Sequence, residues 1–267
     1  MSVLRRLLLV LAATFLPVGA HAQDREYCVD RPGLGTPACT MEPGRFSVEL
    51  GLGDWTLEKD AAQRTDTVLV GDILLRAGIA DHAEVQIGWT SLGFVRSRDR
   101  VTGSLDHRSG TGDVTLALRR NLVSPDGSGF SAAVMPVVTL PTGREPVGAG
   151  DWGAALVVPV SYDLSDSLSL ATTSEFDAAV DEDAHGHHFA FQEIAGLEWQ
   201  LNPALTASAE YAVRFDRDPA GHAVQHVASL SLAWMADDNL QFDTGANLGL
   251  DHDAPDAELY LGVSRRL

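Results

Sequence analysis

The densest group of side chains that could ligate a metal lies in one short run, from Asp181 to His188. Within it, Asp181, Asp183, His185, His187 and His188 offer carboxylate and imidazole ligands. Such groups could hold a divalent cation. The run is equally typical of a solvated acidic loop that repels anions and meets lipopolysaccharide through bridging cations. We favour the solvated loop and expect neither a resident metal nor a cofactor.

A histidine and a serine within hydrogen-bond reach would indicate an esterase or phospholipase. His226 is the candidate histidine, because the alternation described below places it on the lipid-facing side of its strand. Hairpin pairing sets Val213 and Leu250 beside it, and neither neighbouring strand offers an outward serine there. No glycine-rich phosphate loop leads from a strand into a helix. We therefore expect no enzymatic activity, with a lipid-modifying enzyme as the less favoured alternative.

The N-terminus is typical of a secretory signal peptide. Arg5 and Arg6 form a basic start, residues 7–16 are apolar, and residues 20–22 offer a small-x-small cleavage site. The apolar run is too short to span a membrane. Residues 1–22 are therefore predicted to be a signal peptide.

The only two cysteines, Cys28 and Cys39, both come before the first predicted strand. In an oxidising periplasm, two thiols at this spacing favour a disulfide. A metal or redox pair would need a nearby partner or a CxxC spacing. We predict that residues 23–43 form a periplasmic segment that the disulfide holds near the inner mouth, followed by a single domain over residues 44–267.

The formal charge of −18 excludes a nucleic-acid partner, since nucleic acids bind basic surfaces. No apolar run after the signal segment is long enough for a transmembrane helix. A secreted chain with mean hydropathy near zero fits a periplasmic protein or an outer-membrane barrel.

The segment Ala223–Leu250 decides between these two, because apolar and polar residues alternate along both of its halves. Leu230, Leu232 and Trp234 alternate with serine and alanine, and residues 237–239 then form a tight polar turn. A period of two indicates strands, and each run has about 11 residues, enough to cross a membrane as a tilted strand. Twelve such segments are predicted, near residues 44–55, 67–80, 84–95, 111–122, 130–140, 152–163, 168–180, 188–201, 205–216, 223–236, 240–250 and 257–267. The prediction is an all-β transmembrane antiparallel up-and-down barrel of about 12 strands.

The connections and the aromatic residues indicate how this barrel is oriented. Short turns alternate with longer, more charged loops such as 54–66 and 96–110. In bacterial outer-membrane barrels the short turns are periplasmic and the longer loops are extracellular. We therefore call the end with the short turns the inner end and the end with the longer loops the outer end. Most aromatic residues fall at strand ends, in two belts that suit the two membrane interfaces. Trp89, Tyr211 and Phe242 lie outside these belts.

Alternation predicts a set of charged residues that face the lumen, because such charges on the lipid face would be costly. They are Glu49, Asp72, Arg76, Glu84, Asp113, Arg119, Glu175, Glu198, Glu210 and Arg214. They could fill a narrow barrel with a salt-bridge network. They could also line a polar path for a solute, in which the excess of carboxylates favours cations.

Several short motifs resemble one family of outer-membrane barrels. Residues Asp30 to Pro32, Pro43-Gly44 with Glu49, and the run from Leu140 to Gly143 with the glycine-rich stretch after it carry the resemblance. The chain resembles the meta-pathway phenol-degradation transporter family over nearly all of the predicted mature chain. The resemblance implies a barrel of this class with a transport role. It brings no catalytic residues, and the phenolic solute in the family label is not carried over.

The sequence therefore predicts a passive channel or uptake component in the bacterial outer membrane, for small solutes that include hydrophobic or aromatic ones. A filled structural barrel is the alternative. The expected partners are outer-membrane lipid, lipopolysaccharide, the barrel-assembly machinery and a small-molecule solute whose identity the sequence does not specify.

Overall fold

The computed structural model describes residues 25–267 and is built from antiparallel strands. The predicted signal peptide lies outside the described residues. In chain order, the strands are β1 Phe46–Lys59, β2 Gln63–Ala80, β3 Ala83–Asp99, β4 Leu105–Gly110, β5 Val114–Val123, β6 Phe130–Leu140, β7 Gly153–Ser165, β8 Leu168–Val180, β9 His187–Asn202, β10 Leu205–Asp218, β11 Gly221–Asp237, β12 Leu240–Gly249 and β13 Ala257–Arg266. Among these residues, no helix is long and apolar enough to span a membrane.

The sheet closes on itself, because β1 pairs with both β2 and β13 and the remaining strands pair in sequence order. β4 and β5 share one partner: β4 pairs with the outer part of β3, and β5 pairs with its inner part. They therefore act as one strand that is interrupted at residues 111–113. The prediction of a closed antiparallel barrel of twelve strands is confirmed.

The wall alternates as the sequence predicted, with apolar side chains outward and polar side chains inward. On β11, Leu230 and Trp234 are 67% and 52% exposed, whereas Ser229 and Ser231, on the two sides of Leu230, are buried inside. A soluble sheet protein has the opposite arrangement, with its apolar face in the core. The interior of this barrel is polar, and hydrogen bonds and ion pairs fill much of it.

One glycine reverses the alternation partway along β2. Gly71 has a φ of +68°, a left-handed conformation that glycine adopts without steric cost. Asp72 and Arg76, which follow this glycine towards the inner end of the barrel, point into the lumen. Val70, which precedes it towards the outer end, points away from the lumen. A strictly alternating strand would have turned Val70 inward.

Two outer connections are shorter than predicted. β1 and β2 continue until only residues 60–62 remain between them, and β3 with β4 covers most of residues 96–110. The prediction of long loops at 54–66 and 96–110 was wrong. These strand ends carry charged residues on both faces, which removes the alternation signal although the ladder hydrogen bonds continue.

Candidate functional site

The segment before β1 lies inside the barrel. Its backbone and side chains contact inward-facing residues of β1, β2, β3, β5, β8, β10, β12 and β13. The sequence predicted a position near the inner mouth, in the periplasm. The lumen position differs because the inner half of the barrel offers ionic partners to this polar segment.

Two arginines of the wall hold one side of the segment. Arg76 on β2 donates to Glu49 at 2.8 Å and to Glu84 at 3.0 Å, and all three side chains are fully buried. Arg119 on β5 donates to both oxygens of Asp30, at 2.8 and 2.7 Å. Asp30 also lies 3.1 Å from Arg76, so it bridges the two guanidinium groups. A carboxylate of the segment thus completes the wall cluster.

The charge state of Asp30 follows from these neighbours. Removal from water acts to raise the pKa of its carboxyl group, but the guanidinium groups of Arg119 and Arg76 outweigh that effect. They hold the pKa of Asp30 below its ordinary value. Asp30 is therefore ionised at neutral pH.

The predicted disulfide between Cys28 and Cys39 is confirmed. The same two arginines hold both ends of the loop that it closes: Arg76 donates to the Cys28 carbonyl at 2.5 Å, and Arg119 to the Cys39 carbonyl at 3.2 Å. We refer to residues 28–39 as the disulfide loop.

The tip of the disulfide loop reaches the opposite wall. Glu210 on β10 accepts the backbone N–H groups of Leu34 at 2.7 Å and Gly35 at 3.0 Å. Thr173 on β8 accepts the N–H of Thr36 at 3.0 Å and donates to its carbonyl at 3.2 Å. With one side bound to β2 and β5 and its tip bound to β8 and β10, the loop spans the lumen.

A third side of the loop is held by charge. Arg31 pairs with Asp243 on β12, with 3.1 Å between Nη2 and Oδ1, and its guanidinium lies 5.7 Å from the ring centre of Tyr260. Gln241 donates to the Arg31 carbonyl at 3.1 Å. Charge-assisted contacts of this type are about twice as strong as neutral hydrogen bonds.

The inner mouth keeps an open vestibule beside the segment. Its volume is about 1110 Å³, and its walls come from the segment, the turn after β5 and the inner ends of β7 to β10. The residues around it are Arg25, Glu26, Ser124 to Ser128, Asp163, Ser165 to Ser169, Glu198, Gln200 and Thr206. Glu198 is two residues from Gly196, which pairs with Glu210. The vestibule therefore leads towards the tip of the disulfide loop.

The remaining residues predicted to face the lumen occupy three different settings. Asp72 is exposed and accepts a hydrogen bond from Thr90 at 2.9 Å. Arg214 donates to Asp177 at 2.8 Å, and Glu175 lies on the same face of β8 as Asp177. Asp113 lies in the break between β4 and β5 and not on a strand.

Asp113 fastens an outer loop over residues 141–152. Its two oxygens accept the N–H groups of Gly143 and Ala149, each at 2.7 Å. The backbone N–H of Arg144, in the same loop, also donates to the carbonyl of Thr111 at 2.9 Å. The loop with the Leu140–Gly143 motif thus closes the wall beside the split strand.

The acidic histidine run separates into two parts. His188 is nearly buried, with Nδ1 2.9 Å from Asp181 and 3.4 Å from Asp218, and Nε2 2.8 Å from Asp216. Asp181, His188 and Asp218 are close enough to ligate one cation. The other three predicted ligands lie apart from this group. They are Asp183, His185 and His187.

A serine and histidine pair is not assembled on the outer face among residues 25–267. His226 faces outward beside Val213, as predicted, and its Nδ1 is hydrogen-bonded to the hydroxyl of Tyr211. The outward Ser174 lies on β8, with β9 and β10 between it and β11. Among residues 25–267, no serine on the outer face contacts His226, as the rival hypothesis of a lipid-facing hydrolase would require.

The prediction missed the partners that the segment supplies and some on the wall. They are Asp30, Arg31, Thr173, Asp177, Asp243 and Arg266. Alternation on β8, β12 and β13 places four of them on the inward face, so that signal was present. Nothing periodic marks the segment, whose contacts lie far away in sequence.

Comparison with family models gives one match. The model described as "Putative MetA-pathway of phenol degradation" matches residues 29–267. A search of curated proteins found no match.

Solved structures share the fold at low identity. A structure of the NanC porin has a TM-score of 0.52 at 8% identity, covering 83% of this chain and 100% of that one. The KdgM porin has a TM-score of 0.47 at 10% identity, covering 81% and 98%. The CymD monoaromatic hydrocarbon channel has a TM-score of 0.47 at 8% identity, covering 84% and 88%. The first of these similarities supports a porin-like barrel, and the other two are too distant to carry an argument.

Proposed function

Since this chain belongs to the phenol-degradation family whose model matches residues 29–267, we propose that it is a passive outer-membrane channel for small solutes that its own N-terminal segment closes. The observation that carries the proposal is the disulfide loop, which binds to both sides of the lumen. Porin-like barrels of similar fold support a channel role. The family label points to small aromatic solutes as a class to assay first.

Two features favour a closable channel over a filled structural barrel. The loop is joined to the wall through single side chains such as Glu210 and Asp243, and not through a sheet ladder. The vestibule of about 1110 Å³ opens at the inner mouth and extends to Glu198, two residues along β9 from the Gly196 that pairs with Glu210. Breaking these side-chain contacts would connect the vestibule with the outer lumen while the strand ladder stays intact.

The electrostatics of the opened lumen would favour cations. With the disulfide loop in place, Glu210 and Asp243 bind N–H groups and a guanidinium. Without the loop, both carboxylates face open water, Glu210 on the wall opposite Arg76 and Arg119 and Asp243 on the third side. Carboxylates that line a pore surrounded by low-dielectric walls attract cations.

Planar-bilayer conductance tests the proposal. The full chain is compared with a variant in which Asp30 to Thr36 are replaced by glycine and serine, so that chain length stays the same and the anchors are lost. We expect little conductance from the full chain, and a larger, cation-preferring conductance from the variant. As a control, the same replacement at residues 60–62, in the outer turn between β1 and β2, should change nothing.

The filled structural barrel is the second candidate, favoured by the density of buried ion pairs around Arg76. It predicts that the loop variant stays non-conducting although it retains the gel mobility of a folded barrel. That result would reject the channel proposal.

A further inference from the structure

The outward face of β8 to β11 carries polar side chains where the membrane-facing wall is otherwise mostly apolar. They are Thr172, Ser174, Glu193, Tyr211 and His226, which we call the polar patch. On β7, β12 and β13, the outward positions Leu156, Leu248 and Leu261 are apolar and 43%, 56% and 50% exposed. The polar patch therefore interrupts an apolar belt.

Strand register brings the patch together in two adjoining rows. In the first row, Ser174 pairs with Glu193, Glu193 with Val213, and Val213 with His226. In the second row, Thr172 pairs with Ala195, Ala195 with Tyr211, and Tyr211 with Ala228. Alanines alternate with the polar side chains in the second row, so the outer surface there is recessed.

The polar groups contact one another within the patch. The hydroxyl of Ser174 donates a hydrogen bond to the carboxylate of Glu193 at 2.5 Å. Among residues 25–267, this is the one hydrogen bond that the Glu193 side chain makes. The rings of Tyr211 and His226 stack at 5.9 Å and share a hydrogen bond. His226 also lies 3.9 Å from Asp251, in the loop between β12 and β13. One carboxylate and one imidazole thus lie on the same outward surface.

The depth of Glu193 makes its position costly in lipid. Along β9 it lies six residues from Trp199 in the inner aromatic belt and four from Phe189 in the outer one. With a rise of about 3.3 Å per residue and a strand tilt near 40°, Glu193 is roughly 15 Å above the inner belt, inside the apolar layer. Ionisable groups in this layer are rare and mark functional contacts. Acyl chains offer no donor to its carboxylate.

We propose that the polar patch is the interface at which two copies of this chain pair side by side in the membrane, around a two-fold axis that runs parallel to the membrane normal near Val213. The patch carries both an acceptor, Glu193, and donors in Tyr211 and His226, so it can complement itself, as an isologous interface requires. Small residues such as Ala195 and Ala228 let two walls approach closely.

The arrangement of the first row fits a two-fold axis. Glu193 and His226 lie one strand to either side of Val213. A half-turn about an axis near Val213 moves the Glu193 side of one copy to the side that holds His226 and Tyr211 of the other copy. Each carboxylate is then turned towards the side of the second copy that carries the imidazole and the phenol instead of towards lipid, and this happens twice.

Cysteine cross-linking in native outer membranes tests the geometry. The two native cysteines are paired, so one introduced thiol is the single reactive group. We expect Val213→Cys to give a disulfide-linked dimer, and Leu116→Cys, on β5 across the barrel, to give at least roughly tenfold less, because a thiol away from the interface meets its copy only by chance. Ala209→Cys is a second probe on β10 if Val213→Cys does not fold.

Each outcome of the cross-linking decides the proposal. Equal cross-linking at Val213→Cys and Leu116→Cys would overturn it, as would a product joined to a different protein. A product whose mass is twice that of the chain, formed at Val213→Cys and not at Leu116→Cys, supports it.

Native mass spectrometry in nanodiscs tests the chemistry. The full chain should be dimeric, and the double variant Glu193→Ala with His226→Ala should dissociate roughly tenfold or more readily, since it loses charge-assisted contacts. Thr244→Ala, which removes an outward hydroxyl on β12 outside the patch, should leave the dimer unchanged. A monomeric full chain, or a double variant that dimerises like the full chain, would overturn the proposal.

Discussion

Arg31 and Asp243 are 212 positions apart in the chain, yet they form an ion pair inside the barrel with 3.1 Å between Nη2 and Oδ1. Asp243 is fully buried, and Arg31 is its ion-pair partner. The pair fixes the disulfide loop to β12 while Asp30, the preceding residue, fixes it to β5. Two adjacent residues thus hold the loop between two separate parts of the wall.

Arg31→Ala should loosen the loop, because it leaves the buried carboxylate of Asp243 unpaired, a change that typically costs about 3–5 kcal/mol. Hydrogen exchange at the backbone N–H groups of Leu34 to Thr36 should accelerate. Lys59→Ala is the control, since Lys59 and Asp256 form an exposed pair of 3.6 Å at the outer rim. Equal protection in the two variants would show that the ion pair does not hold the loop.

The disulfide should stabilise the loop and not the barrel. Replacing Cys28 and Cys39 with serine removes a cross-link over about twelve residues, worth up to about 3 kcal/mol by chain entropy. We expect faster exchange in the loop and an unchanged shift of gel mobility on boiling, because no strand pairing depends on the bridge. A barrel that fails to close without the bridge would contradict this expectation.

Acid should release the loop through Asp30. Its folded pKa is below the ordinary value of about 3.9, so its contribution to docking is complete above that pH and is lost as pH falls through the lower folded value. The protection factors of the loop N–H groups, which are corrected for the intrinsic pH dependence of exchange, should be constant from pH 7 to 5 and fall below about pH 4.

Asp30→Asn is the comparison that assigns the acid effect, because Glu49 and Glu84 also pair with Arg76, and Glu84 lies near Arg119 as well. This variant should dock weakly already at pH 7 and should show a smaller acid step. An acid step of full size in the variant would assign the effect to the two glutamates.

Neutralising Glu49 and Glu210 together should open the full-length channel. Glu49 accepts the N–H groups of Asp30 and Arg31, and Glu210 accepts those at the loop tip. The double glutamine variant should conduct more than the full chain and prefer cations less than the glycine–serine loop variant, which keeps both carboxylates. A double variant that remains closed would show that the loop does not depend on these acceptors.

The histidine run should respond at one position. His188→Ala leaves three aspartates facing each other without the imidazole, and should lower stability by about 1–3 kcal/mol. His185→Ala, in the exposed loop, should change it by less than about 0.5 kcal/mol. Thermal unfolding in detergent with added chelator measures both. Equal effects of the two substitutions would show that the contacts of His188 do not matter.

Alternation was enough to predict the wall, because membrane and lumen impose opposite demands on successive side chains. Alternation is lost where water lies on both sides of the sheet, so it predicts loops at the outer ends of β1 to β4, where the structure has strands. It also failed at Gly71, where a left-handed residue reverses the facing of Val70. The break at residues 111–113 carries no signal that a period of two can register.

The disulfide loop could not be placed from sequence, although its parts were visible. Residues 25–43 have no periodicity, and their partners lie up to 241 positions away. Two cysteines predicted a compact loop, and buried charges such as Arg76 and Arg119 predicted a need for carboxylates. Only the closed barrel shows that Asp30 meets this need, because the distance between these charges depends on how three strands curve.

The last strand, β13, contacts the first described residues, so these contacts can form only late in synthesis and assembly. Arg266 donates to the carbonyl of Arg25 at 2.8 Å and to Glu42 at 3.1 Å, and β13 pairs with β1 to close the barrel. The first described residues are thus synthesised long before their final partner exists. The contacts of Arg25 and Glu42 with Arg266 therefore cannot form before β13 is in place, and the same strand closes the seam with β1.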